Sequence, residues 1–178
     1  MKTLILVRHG ETEVDKVRDR VLTNSGKEHV NEVAVMMKNY CKGKIVVCYS
    51  KTFRAKQTAE IIGKVLDSKR LYENEFRIKN ADNIRDLIKR NEINNIRPAQ
   101  TYLELGNCAK WKIESPKDLY SRWLNILNTL IEETVIVVSH EGSLEAFIYN
   151  QRSFELVYKS FSGRYFGYSD FVVLKLKK

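Results

Sequence analysis

Short apolar runs alternate along the chain with stretches whose apolar residues recur every three or four positions. The runs Thr3–Val7, Lys44–Cys48, Thr134–Val138 and Phe171–Leu176 predict strands, and Arg70–Tyr72 predicts a further short one. Helical spacing fills the intervals. Near Thr23, a capping residue, a helix begins that gathers Val30, Val33, Ala34, Met37 and Tyr40 on one face. A second, from about Thr52 to Leu66, gathers Ala55, Thr58, Ala59, Ile62 and Leu66. Ser115-Pro116 offers an N-cap hydroxyl and then proline at the first helical position, and Leu119, Trp123, Ile126, Leu127 and Leu130 continue that helix. A last helix is predicted over Leu144–Tyr149. Residues 73–114 lose the rhythm, are rich in Asn and cations, and hold one short helical pattern, Ile84, Leu87 and Ile88. They read as a cap-like insert over the carboxyl edge of the sheet, within a single domain spanning 1–178. The alternation predicts an α/β fold, a three-layer sandwich whose mostly parallel central sheet has helices on both faces.

Three of the predicted strands run straight into reactive side chains. Leu4–Val7 leads into Arg8-His9-Gly10-Glu11-Thr12, and Val135–Val138 into Ser139-His140-Glu141-Gly142. Ile45–Val47 leads through Cys48-Tyr49-Ser50 to a helix with Arg54 in its first turn. Ligands of open α/β sheets bind at the carboxyl edge. Two histidines and two arginines there suit a phosphoryl group, whose equatorial oxygens carry the spread charge in transfer. Arginine donates two parallel bonds from a planar fork and stays protonated. Free N–H groups at a helix N-terminus strengthen Arg54. A neutral imidazole can take the phosphoryl group on one nitrogen while an acceptor, such as a backbone carbonyl, holds the other. Gly10 lets the backbone approach a ligand, His140 suits a charged donor to an equatorial oxygen, and Gly142 allows a tight turn into the following helix. His29 lies on a helix face without partners and reads as structural.

Charge and cysteine content narrow the classes. The formal charge of +9 favours an anionic partner: nucleic acid, a protein surface or a small phosphorylated substrate. No basic stripe interleaved with aromatics marks a nucleic-acid module, so no nucleic-acid partner is expected. No apolar run reaches the roughly 20 residues that span a bilayer, and no membrane partner is expected. Leu4–Val7 is too short for a signal-peptide core and is broken by Arg8. Cys41, Cys48 and Cys108 lack metal-ligand spacing and read as reduced, mostly buried thiols, which points to the cytoplasm.

The segment Leu6-Val7-Arg8-His9-Gly10-Glu11-Thr12 resembles the signature of the histidine phosphatase superfamily, the phosphoglycerate mutase-like fold. Further segments match in family order. Leu22-Thr23 with Gly26 is similar to the family's "LT..G" start of a helix. Ser50 through Ile61, with Arg54-Ala55 and Gln57-Thr58-Ala59, is similar to its "S…RA.QTA..I" segment. Glu114-Ser115 with Arg122 resembles its "ES……R" segment, and Val138-Ser139-His140 its second histidine. The resemblance implies that His9 is phosphorylated in turnover and that Arg8, Arg54 and His140 bind the phosphate, with no metal or organic cofactor. The implied reaction is hydrolysis of a phosphomonoester on a small molecule or a phosphoprotein; oligomeric state stays open. Two alternatives stand beside it. One is mutase-type phosphotransfer, although the family's mutases are longer and hold a bisphosphorylated cofactor. The other is a non-catalytic phosphate-binding protein of the same fold.

Two positions depart from the family pattern. Where the first loop usually places an asparagine, six residues after the histidine, this chain has Asp15, whose carboxylate repels a dianion unless protonated or turned away. The hydroxyls of Thr12 and Thr23 are candidate replacement donors. The glutamate of an "LRE"-like context falls on Ile78 in Phe76-Arg77-Ile78, so the general acid is sought at Glu75 first, then Glu73, then Glu141. Gly10, Thr12, Asp15, Thr23, Glu73 and Glu141 thus make up the candidate substrate-binding set around His9, Arg8, Arg54, His140 and Glu75. Arg77, Lys79, Arg85, Lys89, Arg90 and Arg97 make the insert basic, which fits either acidic substrates or a solvated surface.

Overall fold

The computed structural model describes residues 2–13, 20–89, 102–103, 108–161 and 166–177. In chain order the elements are β1 (Thr3–Arg8), α1 (Asn24–Met37), β2 (Ile45–Ser50), α2 (Phe53–Val65), β3 (Arg70–Asn74) and α3 (Asp82–Lys89). Then follow α4 (Pro116–Asn128), β4 (Thr134–Ser139), α5 (Glu141–Asn150), β5 (Phe154–Lys159) and β6 (Phe171–Leu176). The six strands form one sheet in the order β3-β2-β4-β1-β6-β5. The β3–β2, β2–β4 and β4–β1 pairs are parallel, while β6 runs antiparallel to both β1 and β5. All five strands and the helices expected from periodicity are present, with ends shifted by a few residues.

Alternating residues of the central strands feed two cores, one on each face. Ile5, Val7, Val47, Ile136 and Val138 pack with Val30, Val33, Ala34 and Met37 of α1 and with Ala55, Ala59 and Ile62 of α2. Leu4, Leu6, Val46, Val135 and Val137 face Leu119, Trp123 and Leu127 of α4 and Leu144 and Phe147 of α5. Each large apolar side chain taken out of water contributes about 1.5–3 kcal/mol, so a sheet buried on both sides is strongly pinned in register. The described part of the insert belongs to the second core, because Phe76, Ile78, Ile84, Tyr102, Cys108 and Ile113 are all buried there. Phe76 meets Trp123 edge-on with ring centroids 5.1 Å apart.

Helix starts follow the expected chemistry. The Thr23 hydroxyl caps α1 by accepting from the Gly26 N–H at 2.9 Å, and the Ser115 hydroxyl caps α4 by accepting from Asp118 N–H at 3.1 Å. The helix after His140 begins at Glu141 rather than Leu144, so Gly142 lies in its first turn instead of in a tight connecting turn. Strand β5 has no counterpart in the sequence pattern. It is an edge strand, exposed at Glu155, Leu156 and Val157, and a bulge between Leu156 and Tyr158 breaks the alternation that would have announced it. Among the described residues no helix is long and apolar enough to cross a membrane.

Candidate active site

Strand registers bring the chemistry to one edge. Val7 pairs with Val138, Tyr49 with Val138, and Tyr49 with Glu73. Just past the ends of these strands, at the carboxyl edge, stand His9, His140, Lys51 and Glu75. The His9 backbone is fixed on both sides: its N–H donates to the Ser139 carbonyl at 3.0 Å, and its carbonyl accepts from Ser169 N–H at 3.3 Å.

His9 is buried, at 7% exposure, and its Nδ1 lies 2.8 Å from the Gly10 carbonyl. A carbonyl can only accept, so Nδ1 carries the hydrogen and Nε2 holds the lone pair. That nitrogen accepts from Arg54 Nε at 3.2 Å. The same guanidinium reaches His140, whose Nδ1 lies 3.4 Å from Arg54 Nη2. With Nδ1 accepting, His140 Nε2–H donates to the Ser50 hydroxyl at 2.8 Å. The two rings meet edge-on, centroids 5.1 Å apart and planes at 64°. Both imidazoles are neutral. Burial above all, then the positive charges of Arg54, Arg8 and Arg20, lower the His9 pKa to about 3, against the smaller opposing pull of the Gly10 carbonyl. Burial likewise puts His140 well below its ordinary value, helped by His9, Arg54, Arg77 and Arg8.

Arg54 is braced through its own helix. Thr58, one turn on, donates from its hydroxyl to the Arg54 carbonyl at 2.8 Å and accepts from the Gly10 N–H at 3.0 Å. Thr58 therefore ties the arginine's backbone to the peptide that orients His9. Gly10 is required for packing: a Cβ there would stand 2.7 Å from Val30 Cγ2. Gly26 lets α1 press against the segment that follows β1, since a Cβ would stand 2.5 Å from the Glu11 carbonyl oxygen. The close approach expected at Gly10 is thus an approach to α1.

Arg8 points to the other side of the edge. Its Nη1 donates to the Phe166 carbonyl at 2.6 Å and lies 3.1 Å from Glu141 Oε2. The Tyr168 ring stacks on its guanidinium at 4.3 Å and lies 5.7 Å from the His9 ring. Of the carboxylates, Glu75 directly follows β3, with Oε1 3.5 Å from Lys51 Nζ. Glu73 is exposed one step earlier on β3, opposite Tyr49. Glu141 is the partner of Arg8. The Thr23 hydroxyl is engaged in the α1 cap and donates to Glu11 Oε2 at 3.0 Å, which occupies the proton a phosphate would need. Thr12 is buried in a bridge to Leu22. Asp15, Arg90 and Arg97 lie outside the described residues, as do the side chains of Arg85 and Lys89. Among the described residues no group of three or more His, Cys, Asp or Glu could hold a metal ion.

Ser50, Thr58, Phe166 and Tyr168 join the candidate site only in the structure. Ser50 and Thr58 fall inside a family segment, but Thr58 also fits the apolar face of its helix. Tyr168 carries no sequence signal, because it meets Arg8 only through the antiparallel pairing of β6 with β1.

The mostly parallel sheet, with imidazole and guanidinium groups gathered at its carboxyl edge, defines an α/β protein. Residues 4–157 match the profile of the histidine phosphatase superfamily, branch 1. The chain belongs to that superfamily and is an enzyme of the histidine phosphatase type. No curated protein is matched by sequence. Among solved structures it is similar to mycobacterial glucosyl-3-phosphoglycerate phosphatase, with 16% identity and a TM-score of 0.58 over 83% of this chain and 78% of that one. It is similar to phosphoserine phosphatase from Entamoeba histolytica in complex with 3-phosphoglyceric acid (20%, 0.52, 83% and 78%). It is also similar to the protein histidine phosphatase SixA complexed with tungstate (20%, 0.52, 82% and 74%). These likenesses establish the shared fold.

Proposed function

We propose that the protein hydrolyses phosphomonoesters, on a small molecule or a phosphoprotein, through a phosphohistidine formed on Nε2 of His9. One observation carries the reading: Nδ1–H is tied to the Gly10 carbonyl while the Nε2 lone pair faces a guanidinium shared with His140. That tautomer at that edge is a nucleophile aimed at a cluster of cations. As a phosphate dianion enters, Arg54 moves its N–H bonds from the imidazoles to the equatorial oxygens. The dianion counters the burial and the positive charges that keep His140 neutral, and a protonated His140 becomes a further donor. Arg8 supplies the remaining positive charge.

The steps balance simply. Nε2 attacks phosphorus in line and forms a P–N bond while the P–O ester bond breaks. The leaving oxygen takes the proton of Glu75, the carboxyl that stands just past the end of β3. Glu75 carboxylate then takes a proton from water, whose oxygen attacks phosphorus, breaks the P–N bond and releases inorganic phosphate. The neutral, lone-pair-bearing Nε2 is regenerated.

Hydrolysis of p-nitrophenyl phosphate, with an alkaline quench that preserves phosphohistidine, tests this reading. The wild type is expected to show a burst and an acid-labile phosphoenzyme, both absent in His9→Ala. Turnover persisting in His9→Ala overturns the mechanism. Phosphate binding without turnover in the wild type favours a binding protein instead.

A further inference from the structure

Among the quoted family segments, Glu114-Ser115 with Arg122 has no part in the chemistry above, yet its side chains converge on the turn that follows β3. Arg122, on α4, makes a two-pronged ion pair with Glu114: Nε to Oε1 and Nη2 to Oε2, both at 2.6 Å. The two side chains are 18% and 7% exposed. The remaining donors and acceptors of the pair go to one short stretch of backbone. Arg122 Nη1 donates to the Glu75 carbonyl and Nη2 to the Arg77 carbonyl at 2.9 Å. Glu114 Oε2 accepts from Lys79 N–H at 3.1 Å, and Glu114 N–H donates to the Lys79 carbonyl at 3.3 Å.

The residues in between are held from the other direction. The Ser139 hydroxyl donates to the Phe76 carbonyl, and Ile78 N–H donates to the Ser143 hydroxyl at 3.1 Å. Phe76 and Ile78 are buried. Every residue from 75 to 79 therefore has a backbone group tied to Arg122 on α4, to Glu114, or to the β4–α5 corner that carries His140. The Glu75 side chain, by contrast, is 41% exposed and meets Lys51 at 3.5 Å. Its place thus depends on the braced backbone that carries it and on Lys51. A buried ion pair adds little net stability over apolar replacements, but a planar fork fixes several carbonyls in one geometry. Catalytic groups must be held within about 0.5 Å of productive geometry, and a loop offers that only when braced.

We infer that Arg122, locked to Glu114, is a positioning residue that orients the 75–79 turn so that the Glu75 carboxyl faces the leaving oxygen. This rests on Glu75 as the acid. Arg122 touches no reacting atom and acts through Glu75 alone.

The test is a series of phosphate monoesters, from p-nitrophenyl to alkyl leaving groups. It is run on the full chain with Glu75→Gln, Arg122→Lys, Arg122→Met, Glu114→Gln and the Glu75→Gln/Arg122→Lys double variant, rates being normalised to folded protein by circular dichroism. Arg122→Lys and Glu114→Gln keep the measurement possible if Arg122→Met does not fold. Loss of a general acid costs about 100-fold or more on poor leaving groups, so Glu75→Gln is expected to show that loss on alkyl phosphates and far less on p-nitrophenyl phosphate. Arg122→Lys is expected to follow the same leaving-group trend at about ten-fold, and the double variant to be no slower than Glu75→Gln. A uniform Arg122 loss across the series, or one that multiplies with Glu75→Gln, overturns the inference and leaves the acid in place. A uniform Glu75→Gln loss removes the acid, and the inference with it.

Discussion

Replacing Thr58 with valine removes one hydroxyl from the buried link between Arg54 and Gly10 while keeping shape and β-branching. The hydroxyl is fully buried and makes two bonds, 2.8 Å to the Arg54 carbonyl and 3.0 Å from Gly10 N–H. The Arg54 carbonyl keeps its helical N–H partner within α2, so its loss is small. The Gly10 N–H is left buried without an acceptor, which costs about 1–3 kcal/mol, and the added methyl recovers up to about 0.8 kcal/mol. The net expectation is a loss of about 1–2 kcal/mol, a fall in Tm of about 2–8 °C for a chain of this size. Catalysis suffers separately, because the Gly10 carbonyl is the acceptor that fixes the His9 tautomer. A displaced Gly10 peptide turns the ring, and turnover is expected to drop about ten-fold or more. Urea unfolding gives the first quantity, as a lower midpoint with unchanged slope, and burst kinetics with p-nitrophenyl phosphate gives the second. Thr58→Ser is the control: it forfeits a buried methyl but keeps both bonds, so it should lose stability and retain turnover. A valine variant as stable and active as wild type, or a serine variant equally inactive, would refute the reasoning.

Three further outcomes are expected. His9 has a pKa of about 3 when folded and 6.5 when unfolded, so below the latter the unfolded chain binds a proton the native site refuses. Its stabilising contribution is complete above pH about 6.5 and is lost as pH falls toward about 3, with His140 acting in the same sense. Urea midpoints measured across that window should decline, and His9→Asn should flatten the slope; parallel profiles would contradict the assignment. Binding of vanadate should draw a proton onto His140, so calorimetric enthalpies should vary with buffer ionisation enthalpy in the sense of uptake; identical enthalpies in all buffers would oppose it. Tyr168 lies 4.3 Å over the Arg8 guanidinium, a contact of about 0.5–2 kcal/mol. Tyr168→Ala should therefore weaken phosphate binding a few-fold while Tyr168→Phe leaves it near wild type, and equal affinities for both variants would remove the ring from the site.

Two arginine–glutamate ion pairs divide by use. Arg70–Glu132, at 2.7 Å, ties β3 to the turn before β4 far from the histidines, whereas Arg122–Glu114 spends its extra donors on backbone next to Glu75. The second becomes interpretable only when the carbonyls that it holds are known.

The chain's periodicity by itself determined the layered α/β architecture, the two capped helix starts and the placement of His9, His140 and Arg54 at strand or helix ends. Those features are local, since burial alternates within a strand, a cap spans three residues, and a strand's end is visible in the run itself. Tertiary structure decided what depends on pairing between distant segments. It added the bulged edge strand β5, set Phe166 and Tyr168 against Arg8, spent the Thr23 hydroxyl on Glu11, and drew the described insert residues into the α4–α5 core. It also gave the carboxylates different neighbours, setting Glu75 against Lys51, Glu73 opposite Tyr49, and Glu141 with Arg8. Strand order and register set which side chains meet across the edge, and no spacing along one chain encodes that choice, because each pairing is selected by the burial of both faces at once.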